Sequence, residues 1–186
     1  MTQKIKQIAV IGDGGWGTTL AIHLAKKRYH VTLWGAFPDY VQQVKKLRFN
    51  QRFLPGIRIP NDVNIVDNLS EAIGSSELII LAVPSQFLID VLKKIKPFDL
   101  NSKIFLSVIK GIDTKNLLRM SQIITRELGK VKLAVLSGPT IAIEVAQEIP
   151  APRLGLALVA VLTDNRFKFP VWFHSGGASF RRSFCL

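Results

Sequence analysis

Four glycines fall within six residues, Gly12-Asp13-Gly14-Gly15-Trp16-Gly17, between an apolar run at 7–11 and an amphipathic stretch at 18–28. That placement constrains the chain more than any other local feature. The spacing G-x-G-x-x-G between a strand and a helix gives each glycine a separate task. Gly12 permits a tight turn out of the strand, Gly14 lets a ligand reach the backbone with no Cβ in the way, and Gly17 lets the helix pack close to the strand. A helix that begins there directs unpaired N–H donors and partial positive charge at whatever lies above the turn, which suits phosphate oxygens.

The rest of the chain repeats the alternation that this turn begins. Runs rich in Val, Ile and Leu occur at 7–11, 31–34, 63–66, 78–83, 103–108 and 132–136, and their nearly continuous apolarity is that of strands buried on both faces. Helical spacing separates them at 18–28, 38–47, 70–74, 85–95 and 114–128. On the first of these, Leu20, Ala21, Leu24 and Ala25 share a face. Pro38 suits a first helical turn. Strand alternating with helix predicts an α/β fold, a doubly wound and mostly parallel sheet of the Rossmann-like, NAD(P)-binding kind, over residues 1–150. The segment at 48–60 is expected to be a long loop, and its length and aromatic residue point to function.

One expected part of such a site is missing. An acid for the adenosine ribose belongs at the end of the second strand, yet that strand runs out in Trp34-Gly35-Ala36-Phe37. The first acid, Asp39, follows Pro38. No arginine stands there to meet a 2′-phosphate. NAD and NADP both stay open on this reading, with a lean to NAD because nothing neutralises an extra phosphate.

The formal charge is +12, divided as +4 over residues 151–186 and +8 over the first 150. The basic residues are spread among many elements with no aromatic-interleaved basic run, so a phosphorylated small molecule is the expected partner and nucleic acid is not. The longest clean apolar run, 154–162, is too short to span a bilayer. The N-terminal residues do not form a secretory signal, so the expected location is cytoplasmic. The single cysteine, Cys185, allows no internal disulfide. His23, His30 and His174 lack metal-ligand spacing, so no metal is expected, and His23 is expected to be structural.

Several segments together resemble the NAD(P)-dependent glycerol-3-phosphate dehydrogenase family. They are GDGGWGTTLA from Gly12, VTLW at 31–34, NQRFLPGIRIP at 50–60, AVPSQF at 82–87, SVIKG at 107–111 and LSGPTIAIEV at 136–145. The resemblance covers residues 5–150. It implies that Gly12, Gly14, Gly15, Trp16 and Gly17 hold the dinucleotide and that Phe87 and Ala142 line the cofactor site. It places Lys110 between cofactor and substrate, and Gly138 and Thr140 on the substrate side. It implies hydride transfer between NAD(P)H and dihydroxyacetone phosphate or sn-glycerol 3-phosphate, and a homodimer for the complete protein. Physical reading supports Lys110: it closes an expected strand, and ligands of open α/β sheets bind at the carboxyl ends of strands. The bland alternatives are a solvated lysine at 110, core packing for Phe87, a sheet-edge cover for Trp16 and a helix N-cap for Thr140.

The family's general acid, a lysine in a Lys-Asn segment, has no counterpart here, and neither has its arginine-asparagine pair for the substrate phosphate. No catalytic residue is therefore assigned. After Pro150 the alternation stops, and residues 151–186 are expected to form an atypical tail rather than a second domain. A truncation, a frameshift or gene decay would each produce it. The expectation for these residues alone is a dinucleotide-binding module without catalysis.

Overall fold

The computed structural model describes residues 5–114, 116–138 and 141–149, with strand backbone at 158–159, 172–175 and 178–181. The expected strands form, in order β1 (Gln7–Ile11), β2 (His30–Trp34), β5 (Asn64–Val66), β6 (Leu78–Leu81), β7 (Ile104–Ser107) and β8 (Lys132–Leu136). Between β2 and β5 lie two further strands, β3 (Phe49–Asn50) and β4 (Leu54–Arg58). The helices are α1 (Gly15–Lys26), α2 (Pro38–Leu47), α3 (Leu69–Gly74), α4 (Leu88–Ile95), α5 (Met120–Leu128) and α6 (Ala142–Ala146).

Six strands pair in parallel in the order β5-β2-β1-β6-β7-β8, and a two-residue strand, β9 (Leu158–Val159), runs antiparallel along β8. The chain winds outward from β1 through β2 to β5, then returns to the other side of β1 as β6. The two halves therefore diverge between β1 and β6, the switch point at which open α/β sheets leave a crevice.

Alternation along each strand divides the core in two. Ile8 and Val10 of β1, Val31 and Leu33 of β2, and Ile80 of β6 pack on α1 and α2. Ala9 and Ile11, Ile79 and Leu81, and Phe105 of β7 pack on the opposite face with α3, α4 and α5. Both faces are covered, which is why these strands read as unbroken apolar runs.

Three expectations change. The first helix begins at Gly15 rather than at 18, because the glycines themselves form its first turn. The segment 114–128 is helical only from Met120. Ahead of it, the Asp113 carboxylate accepts from the backbone N–H (3.0 Å) and side-chain amide (2.7 Å) of Asn116, and Leu117 takes a left-handed φ of 55°. An aspartate that bonds the backbone locally offers it an alternative to the helix. The loop expected at 48–60 is the antiparallel hairpin β3-β4, with Phe49 opposite Arg58 and Asn50 opposite Leu54. Leu54 and Ile59, both buried, anchor it to the α1 side of the core.

Among the described residues no helix is long and apolar enough to cross a membrane. His174, Cys185 and the apolar run at 154–162 lie outside the residues whose side chains are described.

Candidate functional site

Five of the segments singled out from the sequence leave the sheet at its carboxyl edge. The glycine turn follows β1, Gly35 follows β2, residues 82–87 follow β6, Lys110 follows β7, and Gly138 and Ala142 follow β8. The parallel arrangement makes this necessary, since all six parallel strands point the same way.

The turn itself is tightly built. Gly12 has a φ of 117°, and a Cβ there would lie 2.8 Å from the carbonyl carbon of Ala82 and 2.9 Å from the nitrogen of Val83. Gly12 thus sits in the crevice between β1 and β6, where no side chain fits. A Cβ on Gly17 would overlap the carbonyl oxygen of Gly12, so helix α1 crosses the turn at backbone distance. A Cβ on Gly15 would approach the carbonyl oxygen of Phe53 to 2.5 Å. Gly14 differs: nothing lies within 4 Å of its would-be Cβ, so its outer face is open. Helix α1 starts directly after Gly14, and no side chain caps it. Its first-turn amides are therefore left for a ligand on the open side, and phosphate oxygens are the acceptors such amides favour.

The hairpin reinforces the turn. Asn50, fully buried, donates through Nδ2 to the carbonyl of Asp13 (2.7 Å) and to Thr18 Oγ1 (2.8 Å). Its Oδ1 accepts from the Tyr40 hydroxyl (2.7 Å) and from the Phe53 N–H (3.1 Å). Thr18 Oγ1 in turn donates to the Asp13 carbonyl (3.2 Å). The aromatic tip follows: the Phe53 ring meets Tyr40 edge-on at 5.9 Å, and the Arg52 guanidinium lies 5.0 Å from its centroid.

Helix α6 closes the other flank. Ala142 Cβ would lie 3.6 Å from a Cβ on Gly15, and the Ala142 carbonyl accepts from Thr19 Oγ1 (3.1 Å). His23 Nε2 bonds the Val145 carbonyl at 2.8 Å, joining α1 to α6. His23 is structural, as expected, and no cluster of potential metal ligands occurs among the described residues.

The other sequence candidates fall as follows. Trp16 is half-buried and packs against the core cluster beneath α1, so part of its indole has a packing role. Phe87 ends a short 3₁₀ turn (Ser85–Phe87) and is 51% exposed, which removes the core-packing alternative. Lys110 is exposed and stands three residues beyond the end of β7, not on the strand. Gly138 is half-buried, two residues beyond β8. Thr140 lies outside the described residues.

Two buried side-chain oxygens have no hydrogen-bond partner among the described residues: Asp13 Oδ2 and Ser107 Oγ, both at the carboxyl edge. Burial pushes the Asp13 carboxyl above the usual carboxylate range, against a smaller lowering by its own backbone N–H.

A parallel sheet in this strand order, with an uncapped helix and an open glycine at its switch point, defines a dinucleotide-binding domain of the Rossmann type. The chain belongs to the glycerol-3-phosphate dehydrogenase family: the family model described as "NAD-dependent glycerol-3-phosphate dehydrogenase N-terminus" matches residues 7–167. A glycerol-3-phosphate dehydrogenase [NAD(P)+] of Chlorobium limicola is 38% identical over 162 residues, covering 86% of this chain and 48% of that protein. One from Syntrophomonas wolfei is 39% identical over 147 residues, covering 77% and 43%. The crystal structure of glycerol-3-phosphate dehydrogenase from Coxiella burnetii superposes with a TM-score of 0.75 at 32% identity, over 79% of this chain and 45% of that one. The chain thus spans a little under half the length of the relatives it matches.

Proposed function

We propose that this chain is the dinucleotide-holding part of an NAD(P)-dependent glycerol-3-phosphate dehydrogenase, whose reaction passes a hydride between NAD(P)H and dihydroxyacetone phosphate or sn-glycerol 3-phosphate. The observation that carries the reading is the open backbone at Gly14 beneath the uncapped start of α1, within a chain of this family. The nicotinamide, when bound, supplies or accepts the hydride.

The protein's own residues bind and orient. Gly12, Gly14, Gly15 and Gly17 let the pyrophosphate meet the amides of the first turn of α1, where several donors together supply what a single dipole of about 0.3–2 kcal/mol does not. Trp16, Phe87 and Ala142 flank the cofactor. Lys110, exposed beyond β7, attracts the substrate phosphate or polarises its carbonyl, and the family resemblance assigns Gly138 and Thr140 to the substrate. The expected setting is cytoplasmic, with a phosphorylated small molecule as partner, no nucleic acid, and a homodimer for the complete protein.

A second reading applies to these 186 residues alone. They hold the dinucleotide without turning it over. The short span against the relatives favours it, as does the lack of a matching general acid, since ketone reduction needs a proton donor.

The test mixes the purified chain with NADH, follows cofactor fluorescence, then adds dihydroxyacetone phosphate. Saturable binding without loss of NADH supports the module reading. Binding followed by steady loss shows a complete enzyme. Absence of binding by a folded chain overturns both.

A further inference from the structure

β2 ends at Trp34 and is followed by Gly35, with no acid at the strand end to recognise the adenosine ribose. The tertiary structure puts an acid in that place. A Cβ built on Gly35 would lie 2.7 Å from Cγ of Asp13, closer still to Asp13 Oδ2, and 2.5 Å from Val41 Cγ2. The Asp13 carboxyl therefore occupies the volume into which a side chain at position 35 would project. Gly35 is buried, and its N–H donates to the Val66 carbonyl (3.0 Å), which fixes that corner of the sheet. The Asp13 backbone is fixed as well, its carbonyl held by Asn50 and Thr18. Its Oδ2 nevertheless has no partner among the described residues.

An unpaired carboxylate oxygen inside a protein is costly, and such atoms call for an explanation in a ligand or a catalytic role. This one stands where the glycine turn meets the end of β2. In dinucleotide-binding folds that is where the ribose hydroxyls are read. The following residues, Gly35-Ala36-Phe37-Pro38-Asp39, bring no base, and their one charged member is a second acid.

We propose that Asp13 is the specificity-determining residue of the cofactor site, its carboxylate accepting from the adenosine ribose hydroxyls and rejecting a 2′-phosphate. The proposal rests on the dinucleotide-binding reading. Hydroxyls supply the donors the carboxylate lacks, whereas a 2′-phosphate brings like charge and no donor. The acid stands not at the end of β2 but in the second position of the glycine turn, and Gly35 is the space that admits it.

The test is fluorescence titration of the 186-residue chain with NADH and NADPH, for the natural protein and for Asp13→Asn, Asp13→Ala and Asp39→Asn. Circular dichroism and thermal melting check each fold. The natural chain is expected to prefer NADH. Asp13→Asn and Asp13→Ala are expected to weaken NADH binding by roughly ten- to hundredfold, the range of a lost hydrogen bond to a charged group. They leave NADPH binding unchanged or tighter, and Asp39→Asn keeps the natural preference. Equal affinity of the natural chain for both cofactors overturns the proposal alone. So does an NADH preference that survives in both folded Asp13 variants or is lost in Asp39→Asn. A folded natural chain that binds neither cofactor overturns the dinucleotide-binding reading and the proposal with it.

Discussion

The side-chain amide of Asn50 donates to the carbonyl oxygen of Asp13 at 2.7 Å, tying the hairpin to the glycine turn across 37 residues of sequence. Asn50 spends all its polar capacity here, with two bonds donated and two accepted. Asn50→Ala leaves the Tyr40 hydroxyl and the Phe53 N–H without their acceptor and the Asp13 carbonyl with one donor fewer. Leaving buried polar groups unpaired costs about 1–3 kcal/mol. Urea unfolding of the variant is expected to show a loss of that size, and NADH binding is expected to fall because the turn is no longer held. A variant with natural stability and natural affinity would refute the assigned role.

The glycines separate structure from binding. At Gly17 an added methyl meets the Gly12 carbonyl, and backbone offers little relief. Gly17→Ala is expected to lose at least the roughly 1–3 kcal/mol typical of overpacking, read as a lowered melting temperature. At Gly14 the same methyl enters open space. Gly14→Ala is expected to melt close to the natural chain yet bind NADH more weakly, because the methyl stands where the pyrophosphate approaches.

Lys103 is buried, and its Nζ donates to three carbonyls at the end of α3: Ile73 (2.9 Å), Gly74 (3.1 Å) and Ser76 (2.8 Å). A cation there satisfies carbonyls that the helix leaves over and meets the negative end of its dipole. Lys103→Met preserves most of the volume and removes the donors. Denaturant unfolding is expected to show a loss of about 1–3 kcal/mol with cofactor affinity unchanged, since α3 lies on the sheet face opposite α1.

Two carboxylates give stability opposite pH dependences. The backbone N–H groups of Lys6 (2.7 Å) and Gln7 (3.0 Å) donate to Glu77 and hold its carboxyl below the usual range. Its contribution is present above the ordinary carboxylate value of about 4.3 and is lost as pH falls through the lowered one. Asp13 is raised by burial. Its contribution is present below its ordinary value of about 3.9 and is lost as pH rises through the raised one, so the ionised group burdens the fold at neutral pH. Unfolding measured on both sides of the carboxylate range should find Asp13→Asn stabilising at neutral pH. Glu77→Gln should be destabilising at neutral pH and less sensitive to acid. The opposite order would contradict these assignments.

The sheet was legible in the sequence because burial on both faces writes itself into consecutive residues. The runs at 7–11 and 132–136 and the helix at 38–47 coincide with β1, β8 and α2 to the residue. The helix expected at 114–128 was too long because apolar spacing does not register a side chain that bonds its own backbone, as Asp113 does with Asn116. Phe87 illustrates the same limit for the site. Its position after Val83-Pro84 fits a core residue as well as a ligand contact, and only its exposure removes the first.

By itself the sequence determined the strand-helix alternation, the glycine turn between β1 and α1, and the membership of the chain in its family. Those depend on periodicity and on neighbours a few residues apart. Tertiary structure alone decided that residues 48–60 form a hairpin, that Asn50 clamps the turn, that Gly15 is required by Phe53, and that the carboxyl of Asp13 fills the space beside Gly35. The last three of these relations join residues 22 to 38 positions apart through single hydrogen bonds or single contacts. Such contacts leave no periodic trace along the chain, because their geometry exists only after the sheet has brought the carboxyl ends of its strands together.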